Sequence, residues 1–432
     1  MATLYSQVLE DCMSEEIGDG GLSMTDFARY LSQADIAVKK IRKLITSDEL
    51  PFLTLAERRE DLKEINEIAT KFSSSFDNVI VIGMGGSSLG ARALCSLAAE
   101  RNSTRIHFVG NVDPFTIKIL EKELDWTSTG IVAISKSGAT TETLALFGIV
   151  TAILRDHVEE RDIRGRLVVI TDACESPLSN LARDLNCRVL THASNVGGRY
   201  SAFSSTGLLP ASVLGLEIEA VRDGGSLVLK NFQEQDDIAE IAPAAGAAIS
   251  VGLNRLRGHS ATVIMPYCDR LSNLGYWYCQ LWAESLGKNG EGILPVRALG
   301  VVDQHSQLQL YLDGPVDKMF SLILTETVGD GHYIPDSFAG TNGLSYLKGR
   351  TLGDLLSAEG WATAETLANN GRPTRVIKMP EVTERSVGAL MMHFMIETVI
   401  AAELLGVDAF SQPAVEEGKI ITRKFLQDGW AT

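Results

Sequence analysis

The sequence predicts an α/β protein of two domains, each a mainly parallel sheet flanked by helices, behind an N-terminal helical region. Three observations carry this. At 432 residues the chain exceeds what one hydrophobic core usually organises. Residues 22–72 alternate polar and apolar groups at helical spacing, with Ser and Thr ahead of several helix starts. From Val79 onward, short Val- and Ile-rich runs alternate with longer helix-like segments, in two successive series.

The first series has strand candidates VIVIG (79–83), IHFVG (106–110), GIVAIS (130–135), RLVVIT (166–171) and CRVLTH (187–192). Each is followed by a polar or Gly-containing turn and then a helix, the pattern of βα units whose ligand crevice lies at the carboxyl ends of the strands. After Leu216 come the acidic stretch KNFQEQDD and an Ala-rich helix candidate, which place the domain change near Asp223. The expected division is therefore 1–72 for the helical region, 73–222 for the first domain and 223–432 for the second. The second series reads ATVIMP (261–266), GILPVRAL (292–299), MFSLILTE (319–326) and TRVIKM (374–379), with an insertion-like region around 329–372. GALMMHFMIETVIAAELLG follows; His393 and Glu397 interrupt it, so it reads as a core helix and not a membrane span.

Composition narrows the function classes. A chain with 45% hydrophobic and 22% charged residues is an ordinary globular protein. Its net charge of −16 repels nucleic-acid backbones, and an anionic substrate would need a locally basic pocket. MATLYSQVLEDCMSEE lacks a basic-then-apolar leader, so the expected location is cytoplasmic, without a membrane partner. The six cysteines are dispersed, with no C-x-x-C pair and no histidine at metal-ligand spacing; they read as reduced thiols, and no metal is expected.

Two loops suit an anion. GMGGSSLGAR (83–92) follows the first strand and brings backbone N–H groups and two Ser hydroxyls to a helix start, although the same glycines also suit a plain tight turn. A dinucleotide fingerprint would want Gly where Ser88 stands, and a P-loop would want Lys where Ala91 stands. SKSGATTET (135–143) sets Ser135, Ser137, Thr140 and Thr141 at the start of an apolar helix, more hydroxyls than one cap requires.

Acid–base candidates follow. Arg199, after the Gly pair of NVGGRYS, suits an oxyanion; a structural ion pair is the plainer alternative. Glu284 in LWAESLGKNG lies among apolar neighbours on a helix, where partial desolvation favours a proton acceptor. His305 in VDQHSQLQLY has the most polar surroundings of the seven histidines. Gln412 and Lys419 stand at opposite ends of a short helix in SQPAVEEGKI, where a solvated surface Lys is the bland reading.

Taken in order, GMGGSSLG, SKSGATTET, VGGRYS, ESLGKNG, VDQHSQLQLYLDGPVDK and QPAVEEGK resemble the glucose-6-phosphate isomerase, or phosphoglucose isomerase, family over about residues 79–420. The resemblance implies two sugar-isomerase domains and an aldose–ketose isomerase working through an enediol, with no cofactor. It also implies a homodimer in which His305 reaches the partner's site. Gly86, Ser87, Ser135, Ser137 and Thr140, assisted by Lys136, then match the phosphate-binding set. Glu284 matches the base, Arg199 the residue that stabilises the enediolate, and His305 with Lys419 the ring-opening pair; Gln412 falls in a substrate-contact segment. The chain departs from the family in its shorter length, in Ser88 where an acidic or aromatic residue is frequent, and in Ser411 where Asp is common. Two other readings stay open: a non-catalytic sugar-phosphate sensor, which gives no reason for the Glu, His and Lys set, and a nucleotide-dependent dehydrogenase, against which the failed fingerprint argues.

Overall fold

The computed structural model describes residues 4–98 and 102–429. All nine expected strands form, in two five-stranded sheets. In the first, β2 (Asn78–Ile82), β3 (Arg105–Val109), β4 (Thr129–Ile134), β5 (Leu167–Thr171) and β6 (Arg188–Thr191) run parallel in the order β3-β2-β4-β5-β6. In the second, β7 (Ala261–Pro266), β8 (Leu294–Arg297), β9 (Lys318–Thr325) and β10 (Thr374–Met379) run parallel in the order β10-β9-β7-β8. Every residue of β4, β5 and β7 is buried, as a parallel sheet covered on both faces requires.

One strand was not foreseen. β1 (Ser6–Val8) adds to the outer edge of the second sheet, antiparallel to β10, with Gln7 opposite Ile377. Three residues, two of them polar, give no period to read.

The helices give the sheets their cover. α1 (Met24–Thr46) is N-capped by Ser23, which accepts from Asp26 N. Its buried Tyr30, Leu31, Ala34, Val38, Ile41 and Ile45 make one stripe facing α9 (Ala242–Arg257) and α13 (Glu384–Leu405). α2 (Leu62–Ser75) lies against α7 (Ser205–Val213), beside the first sheet. Further crossovers are α3 (Leu89–Cys95), α4 (Pro114–Glu123), α5 (Thr141–His157), α6 (Pro177–Asp184), α10 (Ser272–Leu286) and α11 (Leu308–Asp313). The expected division at Asp223 falls inside α8 (Ile218–Glu234), which packs along α13. The insertion-like region is shorter than expected: α12 (Leu352–Asn369), started by a Thr351–Asp354 capping box, is the ordinary crossover between β9 and β10.

α13 is long and apolar enough to cross a membrane, yet it is buried inside the protein. It also carries a buried charge network. Arg375 on β10 donates to both oxygens of Glu397 (2.8 and 2.9 Å), His393 Nε2 lies 2.8 Å from Glu397 Oε2, and the Tyr5 hydroxyl lies 2.8 Å from His393 Nδ1. Burial works to raise the Glu397 carboxyl, but Arg375 and His393 outweigh it and hold the pKa at about 2. The network ties Tyr5, beside β1, to the second sheet and its central helix.

The strand order of the first sheet reverses between β2 and β4, so the chain leaves these neighbours toward opposite sides and opens a crevice at their carboxyl ends. The loops 83–88 and 135–140 both sit there.

Candidate active site

Loop 83–88 leaves β2 through a tight turn, with Gly85 at φ +50°. Gly86 is packed directly against the turn that carries Arg199. A Cβ there would lie 2.2 Å from the carbonyl carbon of Gly198 and 2.6 Å from the amide nitrogen of Arg199. The Ser201 hydroxyl donates to Gly198 O (2.8 Å) and reaches Gly86 O (3.3 Å), fastening the two loops. Ser87 is half-buried beside them.

The second loop leaves β4. Ser135 is buried, and its hydroxyl lies 2.9 Å from that of Thr140. Thr140 is the N-cap residue of α5, but its side chain is turned to Ser135 and makes no cap, which leaves the first amides of the helix without a side-chain acceptor. Ser137 is exposed and accepts from Ala139 N at 3.3 Å. Gly138, at φ +60°, abuts Ser176 so closely that a Cβ would lie 2.0 Å from its hydroxyl. Lys136 is half-buried; burial lowers its pKa, Arg199 lowers it further and Asp172 opposes. Loop 135–140 therefore lies within electrostatic reach of Arg199.

Arg199 is the centre of the arrangement. It is only 4% exposed and engages both the helix bearing Glu284 and the segment after α13. Its Nε donates to Ser285 Oγ (2.9 Å), its Nη1 to Glu284 Oε2 (3.0 Å) and Gln412 Oε1 (2.8 Å), and its Nη2 to the Ala409 carbonyl (2.6 Å). The Tyr200 hydroxyl packs on the same Ser285 Oγ at 2.9 Å. Glu284 sits in the last turn of α10 with its side chain 33% exposed. Its other oxygen, Oε1, accepts from Gln280 Nε2 at 2.9 Å. Both carboxylate oxygens are thus held while one edge stays open to solvent. The buried guanidinium puts a fixed positive charge beside the carboxylate, the pairing needed to take a proton from carbon while charge grows on a neighbouring oxygen.

The structure therefore joins Gly86, Arg199, Glu284 and Gln412, and sets the hydroxyls of the second loop nearby. It does not bring in His305 or Lys419. His305 is exposed in the turn after β8, a turn held by Asp303, which accepts from Leu299 N and Ser306 Oγ at 2.7 Å each. Lys419, on the wholly exposed α14 (Glu416–Asp428), is paired with Glu416 at 2.7 Å. Among the described residues no hydrogen bond or ion pair links either side chain to Arg199 or Glu284. Sequence reasoning missed Gln280 and Ser285. Gln280 had a signal, being one helical turn before Glu284 on the same face. The Ala409 carbonyl had none.

The fold is shared with solved proteins. One, a hypothetical protein of Thermus thermophilus, is 36% identical, with a TM-score of 0.84 over 94% of this chain and 98% of that one. A glucose-6-phosphate isomerase of Chlamydia trachomatis, 19% identical, superposes with a TM-score of 0.74 over 93% of this chain and 87% of that one. Two mainly parallel sheets, with loops at the first switch point, are thus the fold class this chain shares with that isomerase. Residues 62–311 match the phosphoglucose isomerase family model. Over 413 residues, 94% of either chain, the sequence is 35% identical to the glucose-6-phosphate isomerase of Rubrobacter xylanophilus. The chain belongs to the phosphoglucose isomerase family.

Proposed function

We propose that this chain interconverts glucose 6-phosphate and fructose 6-phosphate, in glycolysis and gluconeogenesis, by proton transfer through a cis-enediol(ate). The observation that carries the reading is the Glu284 carboxylate, held at both oxygens by Gln280 and buried Arg199 with one edge open. In the aldose-to-ketose direction Glu284 takes the proton from C2. The electron pair moves into the C1–C2 bond, and charge collects on the carbonyl oxygen, where the Arg199 guanidinium opposes it. As the proton of the C2 hydroxyl passes to O1 and the C2 carbonyl forms, the same residue, now a carboxylic acid, returns its proton to C1. Ser87, Ser135, Ser137 and Thr140, with Lys136 and the amide of Gly86, hold the phosphate, and Gln412 contacts the sugar. Binding of that remote group keeps C1 and C2 in register with Glu284.

The reading extends to a homodimer. His305 is exposed, while its turn is anchored by its own chain: Gln304 accepts from Tyr267 Oη (3.0 Å) and Thr363 Oγ1 (3.1 Å) and donates to Glu359. α14 carries Ile420 at 67% and Leu426 at 69% exposure, an apolar surface that a second copy would cover. In this arrangement His305 enters the partner's site and, with Lys419 released from Glu416, opens the sugar ring. A cytoplasmic location goes with the reading, and six free cysteines suit a reducing compartment. The proposal also takes residues 73–222 and 223–432, with α8 spanning their junction, as the two sugar-isomerase domains.

The test is turnover of fructose 6-phosphate by purified protein, with glucose 6-phosphate measured by a coupled dehydrogenase. Sustained product is expected. Thermal stabilisation by the sugar phosphate without product would point instead to a sensor.

A further inference from the structure

The segment ESLGKNG contains a lysine, Lys288, for which the mechanism above has no use. α10 carries Glu284 in its last turn, where helix carbonyls lose their intrahelical donors. Gly287 N and Lys288 N reach back to Ala283 O (3.0 Å) and Leu286 O (2.9 Å). The two carbonyls between them, Glu284 O and Ser285 O, accept from Lys288 Nζ at 2.7 Å each. The local sequence brings the ammonium back to this place. Asn289 and Gly290 both have positive φ (55° and 79°), and Lys288 and Glu291 pair across them by backbone bonds of 3.1 and 2.8 Å. This is the two-residue turn that Asn-Gly favours, and it fixes the base of the lysine stem.

Lys288 is also coupled by charge to the segment that grips Arg199. Asp408 lies within electrostatic range of Lys288, and its carboxylate accepts from Phe410 N (2.9 Å) and Ser411 N (3.2 Å), closing the turn that delivers the Ala409 carbonyl and Gln412 to Arg199. Burial, then Arg199, lowers the pKa of Lys288, while Asp408 and Glu284 oppose. A cation at this helix end is also favoured by the helix dipole. One side chain thus clamps the helix end bearing Glu284 and is coupled by charge to the turn that holds Arg199.

We infer that Lys288 is a positioning residue for proton transfer: by clamping the carbonyls of Glu284 and Ser285 it sets the reach of the Glu284 carboxylate and of the Ser285 hydroxyl that orients Arg199. The inference rests on the isomerase reading. A displacement of the base by about 1 Å can cost on the order of a hundredfold in rate, so the clamp bears on the chemical step without touching substrate.

The experiment compares wild type, Lys288→Met, Lys288→Gln and Lys288→Arg with glucose 6-phosphate and its C2-deuterated form. For Lys288→Met kcat is expected to fall about tenfold or more, with KM within about twofold and a larger deuterium isotope effect on kcat, because only the proton transfer has slowed. Lys288→Arg, a cationic donor of similar reach, recovers most of kcat and the wild-type isotope effect. A variant that is merely less folded loses kcat with its isotope effect unchanged. Should Lys288→Met not fold, Lys288→Gln, polar but one bond shorter, so that its amide does not clamp both carbonyls, carries the same comparison. An isotope effect equal to wild type in the folded variants overturns the inference while leaving the isomerase intact. No turnover by the wild type overturns the isomerase reading and the inference with it.

Discussion

Arg199 Nη1 donates to Glu284 Oε2 at 3.0 Å across an asymmetric environment: the guanidinium is 4% exposed and the carboxylate 33%. The charge is fixed and dry, while the carboxylate proposed as proton acceptor keeps an open edge. Replacing Glu284 by Gln keeps the shape and an oxygen acceptor for Arg199 but removes the proposed base. Turnover is expected to fall at least about a hundredfold with little change in KM. Near-wild-type kcat in Glu284→Gln would mean that another group takes the proton.

Gly86 tests the contact between the first loop and the arginine turn. A methyl group there would lie 2.2 Å from Gly198 backbone, so Gly86→Ala must push the two loops apart. The expected result is loss of about 1–3 kcal/mol of stability and a raised KM for sugar phosphate. Wild-type KM and an unchanged urea midpoint would show that the loops do not need this approach.

The buried pair Arg375–Glu397 sets a pH dependence of stability. Glu397 has its folded pKa lowered to about 2, so its contribution is fully present above the ordinary carboxylate range and is lost as pH falls from there toward about 2. Glu397→Gln leaves Arg375 buried without its counter-charge. It should cost about 3–5 kcal/mol at neutral pH and flatten the acid limb of the stability curve. Urea unfolding of both proteins between pH 3 and 7 measures this; parallel curves would contradict it.

Subunit complementation tests whether His305 acts across a dimer. His305→Ala and Glu284→Gln homodimers should each be nearly inactive. If the partner's site takes His305, mixing them after dissociation gives heterodimers with one intact site, recovering up to about a quarter of wild-type activity. No recovery, with heterodimers demonstrated, would place His305 within its own chain's site or outside catalysis.

The frame was legible for a physical reason. Strands covered on both faces must be continuous apolar runs, and VIVI, GIVAI and ATVIMP are such runs. β1 was not legible, because Ser6 and Gln7 are polar and the strand is placed by pairing with Lys378 and Ile377 and by the Tyr5 contact to His393, all far along the chain. Within the site, Arg199, Glu284 and Gln412 could be named from their motifs, yet their meeting depends on contacts spanning 85 and 213 positions. Gln280 needed only the helical repeat. Lys288 needed the Asn289–Gly290 turn to be seen folding its side chain onto the helix end. His305 and Lys419 carry motifs as plain as the others, but among the described residues no hydrogen bond or ion pair draws either to Glu284.

The measurement that tests the central claim most directly is a proton-NMR time course of purified wild type and Glu284→Gln with fructose 6-phosphate in D2O, with chelator and without nucleotide. The account predicts glucose 6-phosphate carrying deuterium at C2 from the wild type, and almost none from the variant. Product formed without deuterium, or formed equally by the variant, would contradict proton transfer by Glu284 through an exchangeable enediol.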